Sequence, residues 1–134
     1  MKTTVLTLLL IVMTNAEGIA QKGNQWVDKV YSIRGNWSVQ KENKEMYFVL
    51  GGDFYTLAGP DLKLYLSQKE MSEINNRDAI DKEGGVYVAS LKSNKGAQKY
   101  KFPPDVNIAD YKSLVIHCQK FSVVWGGIDL MDEE

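Results

Sequence analysis

Residues 113–126 read SLVIHCQKFSVVWG, and this stretch decides the fold. Two apolar runs, SLVIHC and FSVVWG, flank the polar pair Gln119-Lys120, so the pattern predicts two strands joined by a turn. The first run contains His117 and Cys118, the only histidine and the only cysteine of the chain. Both residue types bind metals, and both take part in proton or redox chemistry. The stretch therefore raises the question of whether these neighbours form a site or only fill a strand.

Alternation of apolar and polar residues continues along the rest of the chain, with β-branched and aromatic residues in most runs. In residues 61–67, DLKLYLS, three leucines fall on one face, while Lys63 and Tyr65 fall on the other. Turn-forming residues separate the runs, at Gly51-Gly52, Gly59-Pro60-Asp61, Gly84-Gly85, Asn94-Lys95-Gly96 and Pro103-Pro104. The pattern predicts an all-β fold, a single β-sandwich-like or barrel-like domain of about seven or eight short strands.

One long polar stretch interrupts the strand pattern. Residues 67–85, SQKEMSEINNRDAIDKEGG, contain few apolar residues, and Met71, Ile74 and Ala79 have loose helical spacing. We predict a loop that carries a short helix. With few apolar residues to anchor it, this loop is expected to be the most mobile part of the domain.

The start of the chain resembles a secretory signal peptide, which we assign to residues 1–20. A positively charged beginning precedes a short apolar run, and small residues occupy Gly18 and Ala20. We predict cleavage after Ala20, with Ala16 as the second choice, and a mature single domain over residues 21–134. The apolar run is shorter than the ~20 residues that a membrane span needs, so no transmembrane segment is expected after cleavage. The protein is expected to be exported, to the periplasm, the cell surface or the medium.

Charge argues against one large class of partner. Sixteen basic and seventeen acidic residues nearly cancel, for a net charge of −1, and both signs are interspersed along the chain. Proteins that bind nucleic acids usually concentrate basic side chains on one surface. No basic face is expected from this pattern, and we therefore expect no nucleic-acid partner.

Cys118 cannot form an internal disulfide, because the chain has no second cysteine. On a regular strand it shares a face with Leu114 and Ile116, whereas Val115 and His117 point to the other side. The apolar residues on the face of Cys118 indicate that its side chain is buried. A buried cysteine often acts as a small apolar filler rather than a reactive thiol. His117 is expected at the surface or at the rim of the domain.

A metal site shared by His117 and Cys118 is not expected, because adjacent residues of a strand face opposite sides. Blue-copper and structural zinc sites also need more histidines or cysteines than the chain contains. We therefore predict no metal site and no cofactor that folding requires. The identity of any cofactor stays open, and non-covalent haem held by a cysteine thiolate is one alternative. Motifs such as Gly-x-Ser-x-Gly and His-Glu-x-x-His are missing from the sequence, so no classical enzyme activity is expected.

Several segments, taken together and in order, resemble the DM-thirteen domain family, which is labelled electron transfer. The most specific segments are GPDL with the following YL, the GAQKYKFP stretch, and YKSLVIHCQKFSVVWG around Cys118. The resemblance covers about residues 35–130. This family occurs beside DOMON domains in Skeletor-type extracellular animal proteins and alone in exported bacterial proteins.

The resemblance implies a redox role for Cys118. In the family, the single late cysteine is the suspected redox group, either as a free thiol or as a ligand of a prosthetic group. The sequence departs from the family pattern beside this cysteine. His117 replaces the usual tryptophan, and Trp125 replaces a usual phenylalanine. These departures put in doubt any role that requires the aromatic neighbour.

Two functions are open from the sequence. The first is an exported β domain with a redox or electron-transfer role centred on Cys118 as a redox thiol, working with a redox partner protein. It follows from the family resemblance. The second is a non-catalytic binding or scaffold module at the cell surface, with Cys118 as core filler. It follows from the apolar neighbours of Cys118, and the accessibility of the sulfur distinguishes the two.

Overall fold

Antiparallel strands make up most of the regular structure in the computed structural model, which describes residues 18–75 and 78–131. Within these ranges eight strands have four or more residues, in agreement with the predicted number, and three short strands have two residues each. In chain order they are β1 (Gly18–Gly23), β2 (Val27–Asp28), β3 (Ile33–Arg34), β4 (Trp37–Glu42), β5 (Glu45–Leu50), β6 (Tyr55–Thr56), β7 (Leu62–Ser67), β8 (Val86–Ser90), β9 (Gln98–Lys101), β10 (Ser113–Cys118) and β11 (Val123–Asp129).

The long strands form two sheets. The first sheet has the order β1-β4-β5-β9 and the second has the order β2-β11-β10-β7-β8, while β3 and β6 pair as a separate ribbon. Apolar side chains of both sheets meet in one core, which includes Trp37, Val39, Phe48, Leu50 and Tyr100 from the first sheet and Leu62, Leu64, Leu66, Leu114, Ile116, Trp125 and Ile128 from the second. The two sheets therefore form a sandwich, and the predicted all-β fold is confirmed.

The alternation of apolar and polar residues in 61–67 determines which side chains of β7 point into the core. Leu62, Leu64 and Leu66 all lie in the core between the sheets, as their spacing predicted. Each fully buried leucine contributes roughly 1.5–3 kcal/mol to the free energy of unfolding. Tyr65, on the other face, belongs to a second and smaller apolar cluster.

The segment 67–85 covers the outer face of the second sheet. It contains a 3₁₀ turn at Met71–Glu73 and a short α-helix, α1 (Asp78–Asp81), so the predicted helix within the loop is confirmed. The reason given for its mobility is wrong, because the few apolar residues that it contains are anchors. Four of them are buried and pack against Tyr65, Val115 and Val124 of the sheet; these are Met71, Ile74, Ala79 and Ile80.

The predicted cleavage point lies within β1, whereas residues 1–17 of the proposed signal peptide lie outside the described residues. The second half of β1 is tied to the end of the chain through Gln21. Its side-chain Nε2 donates to the Met131 carbonyl at 3.2 Å, and its Oε1 accepts from the Met131 amide at 2.9 Å. A cut after Ala20 keeps this link. Among the described residues, no helix is long and apolar enough to cross a membrane.

Mature protein recovered from the exported fraction is expected to begin at Gln21. The physical reason is the small side chain of Ala20 before the cut, and the Gln21–Met131 link remains in the product. Intact-mass spectrometry measures the outcome. A start at Glu17 would show that Ala16 is the cleavage residue, and folded protein that retains Met1 would contradict the export hypothesis.

Candidate functional site

Cys118 is the last residue of β10, where it pairs with Leu62 on one side and Val123 on the other. Its side chain has 0% exposure and lies in the core between the sheets with Leu114 and Ile116. The predicted face of Cys118 is therefore confirmed. Its Sγ donates a hydrogen bond to the Pro60 carbonyl oxygen at 2.9 Å. In this contact the S–H group is the donor, because a carbonyl oxygen can only accept.

An exposed turn supplies the acceptor for the Cys118 thiol. Residues 59–61 pass over the end of β10, and Pro60 and Asp61 are exposed at the surface. Asp61 has a left-handed φ of 59°, a conformation that aspartate adopts more readily than most residues. Its carbonyl accepts the Gln119 amide at 3.2 Å, and its carboxylate lies 3.4 Å from Lys63 Nζ. The turn thus covers Cys118 on its Pro60 side, and two hydrogen bonds link it to the end of β10.

Glycine at position 59 lets this turn approach the core closely. A Cβ at Gly59 would lie 2.7 Å from Cη2 of Trp125, closer than real Cβ atoms approach a neighbouring atom. Trp125 also donates from Nε1 to the Leu57 carbonyl at 3.2 Å and contacts the ring of Tyr31, with 4.2 Å between the ring centroids and the ring planes tilted by 41°. The ring of Trp125 is buried beside the turn, and the ring of Tyr31 is partly exposed at the surface.

His117 is not at the surface or rim, and that prediction is wrong. Its side chain has 0% exposure, and its Nε2 lies 3.1 Å from Oδ1 of Asp81 at the end of α1. The other carboxylate oxygen of Asp81 accepts from the Ser122 hydroxyl. The imidazole edge meets the ring of Tyr65 at a centroid distance of 5.7 Å. The reason for the error is the segment 67–85, which converts the outer face of β10 into a second buried layer.

The surroundings of His117 impose two further constraints. Its Nδ1 is buried and has no hydrogen-bond partner in the structure. Burial raises the pKa of Tyr65, and the nearby Asp81, Tyr87 and Asp61 raise it further, so Tyr65 remains a neutral phenol near neutral pH. Asp81 and Ser122 were missed from the sequence. No motif signals them, because Asp81 stands 36 residues before His117.

The strand places His117 and Cys118 on opposite sides of the second sheet, so the structure does not bring them together. Each belongs to a different layer, Cys118 facing the first sheet and His117 facing α1. Among the described residues, no group of three or more histidine, cysteine, aspartate or glutamate side chains lies close enough together to hold a metal ion.

Treatment with a metal chelator is expected to leave the thermal midpoint of the protein unchanged. The reason is that His117 and Cys118, the only histidine and the only cysteine of the chain, cannot reach one ion from opposite sides of a sheet. Differential scanning calorimetry with and without excess EDTA measures the effect. A fall of many degrees that added zinc reverses would contradict the expectation.

Comparison with known proteins gives one match. The family model described as Electron transfer DM13 matches residues 26–130, which include the 59–61 turn, Cys118, Trp125 and every strand from β2 to β11. No curated protein and no solved structure matches the chain. The family is one of electron-transfer domains, and the match confirms the resemblance stated from the sequence. Because the matched residues make up most of the sequence, the chain belongs to the Electron transfer DM13 family.

Proposed function

We propose that the protein is an exported electron-transfer domain in which Cys118 is the redox group and exchanges electrons with a partner protein. Membership in an electron-transfer family supports the redox role in general. The observation that carries the proposal for Cys118 is the hydrogen bond of its sulfur to Pro60, a residue of the 59–61 turn that is exposed at the surface. The apolar, signal-peptide-like start of the sequence supports export.

The closed turn defines a resting state. In the proposed step a one-electron acceptor of the partner takes an electron from Cys118, and the S–H bond breaks to leave a thiyl radical. The proton must depart, because the Pro60 carbonyl is too weak a base to keep it. Water or a basic group of the partner must therefore take it, which requires the turn to move away from the sulfur. We propose that Cys118 reacts when residues 59–61 open, while the rest of the sandwich stays folded.

The contacts of the turn support such local opening. Asp61 forms its ion pair with Lys63 at the surface, where an exposed pair contributes little to stability. The backbone link from Gln119 to Asp61 is a single hydrogen bond. Segments with few buried contacts open at a smaller free-energy cost than the core. By contrast, Leu62 is buried at the start of β7, so we expect the opening of the turn to extend no further than Asp61.

The rival function is a binding or scaffold module in which Cys118 only fills space. Its support is the zero exposure of Cys118 and the apolar residues that surround it. In that case the sulfur becomes accessible only when the whole domain unfolds. The two functions therefore differ in how thiol accessibility depends on global stability.

Native-state thiol labelling tests the proposal. We expect Cys118 to react with a chromogenic disulfide reagent faster than the global unfolding equilibrium allows, and with little dependence on low concentrations of urea. Gly59→Ala is expected to accelerate labelling, because the added Cβ collides with Trp125 and displaces the turn. Gly52→Ala is the matched control, since a Cβ there meets no atom within 4 Å. Labelling that follows global unfolding in all three proteins would support the filler function instead.

A further inference from the structure

We propose that the end of the sandwich around Cys118 is a docking face for a redox partner protein that combines acidic residues with an apolar patch. This inference rests on the proposed redox function of Cys118, and it identifies the chemistry of the partner. We call this surface the Cys118 end, and it is formed by residues 29–34, 55–63, 90–96 and 118–122.

Strand pairing brings these four segments together. β10 ends at Cys118, opposite Leu62 at the start of β7. β8 ends at Ser90, opposite Lys63. The chain after β2 lies against Trp125, whose carbonyl accepts the amides of three consecutive residues, Lys29, Val30 and Tyr31.

The ribbon of β3 and β6 completes the same end. Thr56 donates its amide to the Asn94 carbonyl at 2.9 Å, and Tyr55 pairs with Lys95 in an isolated bridge. Arg34 lies over the ring of Tyr55, with 4.8 Å from Cζ to the ring centroid. The segments 29–34, 55–63 and 90–96 therefore meet at one end of the molecule.

Basic side chains outnumber acidic ones at the Cys118 end, although the whole chain has a net charge of −1. Asp61 is the one carboxylate in the four segments, and it lies beside Lys63. The basic side chains number six and are Lys29, Arg34, Lys63, Lys92, Lys95 and Lys120. Three carboxylates border this end: Asp28 and Asp53 accept backbone amides at 2.9 and 2.8 Å, and Asp81 accepts from the Ser122 hydroxyl. Basic and acidic residues are evenly mixed along the sequence. The excess of basic side chains at this end is therefore seen only in the structure, where loops from distant positions meet.

Apolar side chains are exposed among these charges. They are Val30, Tyr31, Tyr55, Leu57 and Phe121, and the exposure of Phe121 reaches 57%. Tyr31 is held by its ring contact with Trp125. Protein–protein interfaces are enriched in tyrosine, tryptophan, phenylalanine and arginine, and rigid aromatic side chains lose little entropy on binding. Basic and exposed apolar side chains that lie next to one another on this surface complement a partner that combines acidic residues with an apolar patch.

The contacts of the rings favour a protein over a nucleic acid as the occupant. Single-stranded nucleic acids stack their bases on open aromatic faces. Here Arg34 covers one face of Tyr55, and Lys120 lies over Phe121 at 5.6 Å from the ring centroid. The aliphatic side chains of Val30 and Leu57 offer no stacking surface. Leu57 also lies two residues before Gly59, so a protein side chain that packs on Leu57 would contact the segment that leads into the cover of Cys118.

An NMR titration with two probe proteins of opposite charge tests this proposal. The probes are an acidic [2Fe–2S] ferredoxin and a basic c-type cytochrome of similar size, each at low and at high salt. We expect the ferredoxin to shift backbone amides of the Cys118 end at low salt, with weaker binding at high salt, and the cytochrome to shift none of them. Shifts at the opposite end of the sandwich, or equal binding of both probes, would overturn the proposal.

Charge reversal supplies the matched variants. Lys95→Glu with Lys120→Glu is expected to weaken ferredoxin binding about tenfold. Lys44→Glu with Lys112→Glu changes the same number of exposed lysines at the opposite end and is expected to leave binding unchanged. Equal losses of ferredoxin binding in both double variants would show that binding depends on the net charge of the protein and not on the Cys118 end. A single-stranded oligonucleotide that binds the Cys118 end more tightly than the ferredoxin would also overturn the proposal and identify a nucleic-acid face.

Cys118→Ser separates this inference from the proposed function. The substituted side chain is buried beneath the turn, so ferredoxin binding is expected to be unchanged. A wild-type protein that binds the ferredoxin but gives no Cys118-dependent current in protein-film voltammetry would contradict only the proposed function. Electron exchange through Cys118 without ferredoxin binding would contradict only the docking face.

Discussion

Replacing Cys118 with serine is expected to abolish electron exchange while leaving the domain folded. Serine has no redox chemistry in the accessible range, so the variant loses the proposed redox group entirely. The hydroxyl can still donate to the Pro60 carbonyl, which now accepts from Sγ at 2.9 Å. This retained hydrogen bond offsets part of the cost of placing a more polar group in the core. We expect a loss of about 1 kcal/mol in the free energy of unfolding.

Protein-film voltammetry and urea unfolding together measure the two effects. The wild-type protein should give a faradaic signal that is missing from Cys118→Ser at a temperature where both are folded. Cys118→Ala is the second variant, and it should also be silent although it loses the hydrogen bond and leaves a small cavity. If the serine variant keeps the wild-type signal, Cys118 is not the redox group. The filler function would then account for the residue.

The environment of Cys118 was predictable from the sequence because side-chain alternation is a local property of a strand. SLVIHC specifies that Cys118 shares a face with Leu114 and Ile116, and the structure places all three in one core. The same rule correctly separated His117 from Cys118. The pairing of β10 with β7 stays in register from Ser113 to Cys118, so the alternation is kept on β10 although its pairing with β11 shifts register between Ile116 and His117.

The contacts of the site were not predictable in this way. The sequence identified the 59–61 turn and Cys118 separately, but their hydrogen bond joins residues 58 positions apart. It depends on β7 lying next to β10, and alternation does not determine strand order. The burial of His117 depends on α1, whose two buried residues, Ala79 and Ile80, are too few to reveal a packed helix. The basic Cys118 end likewise depends on which loops meet in space.

The second prediction concerns His117, on the other side of β10. It rests on the free-energy cost of burying an imidazole that has no hydrogen-bond partner. Asp81→Ala is expected to destabilise the domain by about 1–3 kcal/mol, because it removes the partner of a fully buried ring. His117 Nδ1 already has no partner, so the variant would leave both ring nitrogens without one. A buried polar group that loses its partner retains its full desolvation penalty.

His117→Leu is expected to cost less than Asp81→Ala, although it removes the same contact. Leucine brings no polar atom into the second apolar cluster, and Asp81 keeps Ser122 and partial exposure to solvent. Removing both partners should therefore cost less than removing Asp81 alone, since the double variant contains no orphaned imidazole. Urea unfolding of Asp81→Ala, His117→Leu and the double variant measures this cycle. If Asp81→Ala is neutral while His117→Leu is strongly destabilising, His117 stabilises the domain through ring packing against Tyr65, and the contact with Asp81 contributes little.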